Sequence, residues 1–161
     1  MKRLALWILL LGSSVLGQAQ TLQTPRYDVP PKRYALDSAA LDADLKEFQG
    51  DAMLLTRTLS PALEQSLKTL LVGKRIKLQV FLSSKTTPEA LSSAKGLKAL
   101  GAKVYRIKSD FGRGRLVYGK NIAVGGPVDG RGDGQMFVSE AVAQTMRLQL
   151  EKQLPLVSTL L

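Results

Sequence analysis

The side chains best suited to chemistry in this 161-residue sequence are cations and hydroxyls. Histidine and cysteine are both absent. That excludes Ser-His-Asp and Cys-His catalysis, and it excludes disulfides as a source of stability. A zinc site would have to be built from carboxylates alone, which the metal disfavours. Positive charge stands in their place. Between Lys74 and Lys120, twelve basic residues face only Glu89 and Asp110, a net +10. A field of one sign that dense attracts polyanions. A solvated basic surface kept for solubility is the plainer meaning of the same charge. Arginine clamps phosphate with two parallel N–H donors, yet it neither attacks phosphorus nor gives up a proton at neutral pH. Arg57, Thr58, Ser83, Ser84, Lys85, Lys108 and Ser109 each follow a short apolar run, and Arg113, Arg115 and Lys120 come shortly after. Tyr105, Phe111 and Tyr118 lie inside the basic stretch. They are available to stack on bases, although strand tyrosines more often pack in a core. Asp129-Gly130-Arg131-Gly132-Asp133 misses the ligand spacing of a calcium loop and reads as a turn.

The surrounding pattern shows how these residues are positioned. Asp37 or Ser38 caps a helix that runs through Phe48, with Leu41, Leu45 and Phe48 on one face. Residues 52–58 are a strand. Ser60-Pro61 opens a second helix with Leu63, Leu67, Leu70 and Leu71 as its stripe, and Gly73 stops it. Residues 76–82 alternate as a strand should. Thr87-Pro88 opens a third helix, with Leu91, Ala94, Leu97 and Leu100 on its face. Residues 103–107 are a strand, and 115–118 and 121–124 form a hairpin. A strand at 135–138 precedes a last helix capped by Ser139, with Val142, Met146, Leu150 and Leu154 inward. Strands alternating with helices predict an α/β sandwich with a largely parallel sheet. In such sheets ligands sit beyond the carboxyl ends of the strands, where Arg57, Lys85 and Lys108 fall.

Residues 1–19 have the form of an export signal. Lys2 and Arg3 precede the apolar stretch 4–11, and Gly17 and Ala19 suit cleavage before Gln20. The expected location is secreted or periplasmic. The mature chain has no run long enough for a membrane helix. Residues 20–36, with Pro25, Pro30 and Pro31, read as an extended N-terminal arm. Residues 37–161 are then a single domain.

The runs LLTRTLSPALEQSLKTLLVGKRIKLQVFL at 54–82 and GLKALGAKVYRI at 96–107, with the element order across 39–154, carry a resemblance. In that order they resemble one half of a phospholipase D-like domain. The resemblance implies an α/β fold of that kind, a mixed, largely parallel sheet with helices on both faces. In that family the hairpin bears His-x-Lys, four residues, Asp, then six residues and Gly-Ser-x-Asn. Histidine attacks phosphorus, a second histidine protonates the leaving group, and lysine and asparagine hold the oxygens. Here Arg113-Gly114-Arg115 stands at His-x-Lys and Gly125-Gly126 at Gly-Ser, and no register supplies the motif's histidine or its asparagine. The resemblance thus implies the fold and a phosphate-binding cleft, with no catalytic residue, no metal and no cofactor. The expected binding residues are Arg57, Lys85, Lys108, Arg113, Arg115 and Lys120, and the expected partner is a polyanion, DNA or RNA favoured. Single-half members resemble two-fold dimers, which makes a homodimer the expected assembly. Whether the chain catalyses is left open, with binding preferred. The alternatives are a phosphodiesterase-type hydrolase using Tyr118 or a metal-bound water, and a non-catalytic envelope module that binds a protein partner.

Overall fold

A computed structural model describes residues 32–110, 113–128, 134–154 and 157–160. The elements run β1 (Lys32–Ala35), α1 (Ser38–Glu47), β2 (Gly50–Thr56), α2 (Pro61–Val72), β3 (Ile76–Leu82) and α3 (Pro88–Ala99). Then come β4 (Lys103–Ile107), β5 (Arg115–Tyr118), β6 (Ile122–Gly125), β7 (Gln135–Val138), α4 (Glu140–Glu151) and β8 (Val157–Leu160). The export signal, residues 20–31 of the arm, Phe111 and the turn at 129–133 lie outside the described residues.

The strands form one sheet in the order β1-β7-β6-β5-β2-β3-β4-β8. Parallel pairing is confined to β2–β3 and β3–β4. The pairs β2–β5, β5–β6, β6–β7, β1–β7 and β4–β8 are antiparallel. The sheet is therefore mixed, with its parallel part limited to β2, β3 and β4 rather than spread through most of it. Connection length is the reason. A parallel neighbour needs a crossover, which only α2 and α3 provide here, whereas short returns through β5, β6 and β7 force antiparallel pairing.

Helices cover both faces. Leu41 and Leu45 of α1, Leu63, Leu67, Leu70 and Leu71 of α2, and Ala94 and Leu97 of α3 pack against Leu54, Leu78, Val80, Val104, Leu116 and Val124. On the other face Ala143 and Leu150 of α4 join Met53, Leu55, Phe81, Val117 and Ala123. The alternation along each strand decides which residue joins which core.

The caps are those the sequence predicts. Asp37 accepts from the Ala39 amide, Ser60 from Leu63, Thr87 from Ala90 and Ser139 from Val142. Two boundaries differ. The strand expected at 52–58 runs Gly50–Thr56, which leaves Arg57 and Thr58 in the loop after it. Leu100 follows the end of α3 and is 37% exposed, so the buried face of α3 is Ala90, Ala94 and Leu97. Leu154 likewise lies past α4 and stands exposed. Two edge strands have no periodic signal in the sequence. One is β1, inside the segment read as an arm and paired with β7, and the other is β8, paired with β4. Among the described residues no helix is long and apolar enough to cross a membrane.

Candidate functional site

The carboxyl ends of β2, β3 and β4 point the same way because the three strands are parallel. Since α2 follows β2 and α3 follows β3, both helices begin at that end, and α1, which leads into the start of β2, begins there too. Their N-terminal amides add positive potential to whatever the loops carry. Thr56 ends β2 there, Arg57 and Thr58 follow it, and β5 starts alongside, with Arg115 paired to Leu55. An open cleft of about 380 Å³ lies between them, lined by Thr56, Arg57, Thr58, Arg113, Gly114, Pro127 and Val128.

The floor of the cleft is backbone. The Gly126 amide donates to the Gly114 carbonyl at 3.0 Å. A Cβ on Gly114 would meet the Gly126 carbonyl at 3.0 Å and the Leu55 carbonyl at 3.4 Å. Gly126 has φ +105°, where glycine is favoured. These two glycines let the entry of β5 and the exit of β6 close against β2. Close contact holds Gly114 to its type, and the backbone angle holds Gly126.

The side of the cleft nearest β3 and β4 centres on Asp110. Ser83 Oγ donates to its Oδ1 at 2.9 Å, Lys85 Nζ lies 3.1 Å from Oδ2, and Arg57 Nε lies 3.5 Å from Oδ1. The Ser83 hydrogen bond foremost, then Lys85 and Arg57, hold the carboxyl below the usual aspartate range. Backbone bonds tie the loops together here, from the Thr87 amide to the Arg57 carbonyl at 3.1 Å and from Ser84 to Ser109 at 3.2 Å.

The six cations expected to bind are not all brought together. Arg57 and Arg113 share the cleft, and Lys85 joins Arg57 through Asp110. Arg113 is exposed. Lys108 is exposed at the same end, just after β4. Arg115 is not in the cleft. Leu116 and Tyr118 face α1 to α3, so Arg115 and Val117 face the opposite way. Its Nη1 donates to Gln149 Oε1 on α4 at 2.6 Å. Lys120 sits in the β5–β6 turn, and the Ala52–Tyr118 pairing puts that turn at the far end of the sheet. The expected pairing of Arg113 with Arg115 therefore dissolves: Arg113 precedes β5 and opens on the cleft, whereas Arg115 lies in the strand, whose pleat turns its side chain to the α4 face.

Tyr118 is excluded as a nucleophile at this cleft. It is 2% exposed, packs edge-on against Phe48 at 5.3 Å, and its hydroxyl donates to Asp44. Burial, with the Asp44 carboxylate, pushes its phenol well above the usual tyrosine value. Asp110 itself is what the sequence reasoning missed. The signal was there, because an acid set among so many cations beside a strand end is the natural centre for them.

No family model matches the chain, and no curated protein does either. Solved structures do. Nuc of Salmonella typhimurium, a phospholipase D family member, superimposes with a TM-score of 0.64 at 7% identity, covering 80% of this chain and 97% of its own. The chain has a phospholipase D-like fold. NucT of Helicobacter pylori agrees, with a TM-score of 0.63 at 10% identity and the same 80% and 97% coverage. TrmBL2, an archaeal chromatin protein that binds DNA, gives 0.61 at 12% identity over 82% of this chain and 55% of its own. In this phospholipase D-like frame, Arg113-Gly114-Arg115 enters β5, and Gly125-Gly126 leaves β6.

Proposed function

We propose that this protein is an exported phospholipase D-like domain that has lost the family's hydrolysis and binds the phosphodiester backbone of nucleic acids. One observation carries the reading. Arg113, exposed and with no ion pair among the described residues, shares a cleft with Arg57 at the carboxyl ends of the parallel strands, where exposed Thr58 adds a hydroxyl. Guanidinium, hydroxyl and helix N-termini together hold phosphate, and nothing in the chain can act as an imidazole nucleophile or acid. TrmBL2, which shares the fold, binds DNA, and this supports a duplex or single strand as ligand. Backbone contacts of this kind carry no sequence preference. The basic start and apolar stretch of residues 1–19 support export to the periplasm or beyond. A two-fold dimer, with each copy contributing half of a longer groove, belongs to the same proposal.

Fluorescence anisotropy with a labelled oligonucleotide tests it. Affinity should fall steeply between low and moderate salt, and Arg113→Ala should reduce the log–log salt slope by about 1. Salt-independent binding, or none, rejects the proposal. Heparin binding as tight as oligonucleotide binding would assign the cleft to sulfated polymers instead.

A further inference from the structure

Resting on the reading just given, we infer that Asp110 is a built-in competitor: its carboxylate occupies the seat between Arg57 and Lys85 that a ligand phosphate must take. Three groups converge on it. Lys85 approaches one oxygen at 3.1 Å, and Ser83 Oγ and Arg57 Nε approach the other at 2.9 and 3.5 Å. Two cations and a hydroxyl around a two-oxygen anion is the donor set expected around a phosphodiester. In the fold the seat is filled from within. Arg113, on the same cleft, has no such partner among the described residues.

The internal ion pairs are weak enough to exchange. The side chains of Arg57, Lys85 and Asp110 are 38%, 68% and 28% exposed, so water screens their attraction. Arg113 therefore captures a phosphate first. A neighbouring phosphate of the same strand is then held close at high effective concentration and displaces the carboxylate. A lone phosphate lacks that advantage, so the device favours polymers over small anions. Acid cannot lift this block in the neutral range, since the contacts that hold Asp110 also keep it charged.

The Asp110→Asn variant removes the charge and keeps the shape. A fluorescein-labelled oligothymidylate should bind it at least about threefold more tightly at low salt, because the phosphate no longer has to displace a carboxylate from the two cations. On an Arg57→Ala/Lys85→Ala background, adding Asp110→Asn should give no such gain over the double variant. An equal gain on that background would reduce the effect to net charge and overturn the inference. Unchanged or weaker binding by a folded Asp110→Asn would overturn it too. NMR on the unaltered protein is independent of any variant's folding. The Asp110 carboxyl carbon and the Arg57 Nε signal should both shift as oligothymidylate is added, and a static Asp110 signal sinks the idea. If wild type binds with a salt slope but Asp110→Asn gains nothing, only this inference fails. If neither binds, the functional proposal fails with it.

Discussion

Arg113 and Arg115 show how far two residues of one type can diverge. The first ends a loop and opens on the cleft, while the second enters β5 and is turned by the pleat toward α4. Tyr118, three positions further, is turned the other way into the core, where the Asp44 carboxylate accepts from its hydroxyl. Its phenol is raised in the fold, so the folded chain keeps a proton that the unfolded chain releases above about pH 10. Stability from this group is therefore complete below that pH and declines as pH rises beyond it. Tyr118→Phe should cost about 1 kcal/mol at neutral pH, flatten the alkaline decline and leave oligonucleotide binding unchanged. Urea unfolding at a series of pH values reads all but the last, and anisotropy reads that.

At the scale of elements, the cleft depends on helices that begin beside it. Ser60 caps α2 four residues after β2 ends, and Pro61 fills the first turn, where a missing N–H costs nothing. Thr87 and Pro88 repeat the device on α3, and the Thr87 amide also ties that helix to the Arg57 carbonyl. The Ser60→Ala variant should lose about 1 kcal/mol of stability by denaturant unfolding, since the Leu63 amide is left without its acceptor. These caps were legible because they are local: a hydroxyl, a proline and an apolar stripe lie within a dozen residues. The edge strands β1 and β8 were not, because an edge strand needs no alternation of its own when its partner supplies the hydrogen bonds.

Across the whole molecule, the basic stretch does not stay one patch. Alternating strands and helices carry the chain from end to end of the sheet. Lys77 opens β3, Lys103 opens β4 and Lys120 sits in the β5–β6 turn, all at the end opposite Arg57, Lys85, Lys108 and Arg113. Seven-residue strands such as β3 separate the ends by roughly 20 Å, about two screening lengths at moderate salt. Each end therefore meets a ligand as a separate field. A dimer that brings two clefts together would restore a continuous groove, and sedimentation equilibrium should then give twice the chain mass, with a monomer at every concentration counting against it. What the sequence settled by itself was the order of the helices and inner strands, the helix caps, the apolar stripes and the absence of imidazole chemistry, because each rests on residue type and short-range spacing. Only the tertiary structure decided which cations meet and that Asp110 lies among them. Strand register and pleat set the direction of every side chain, and neither is written in the spacing of charges along the chain.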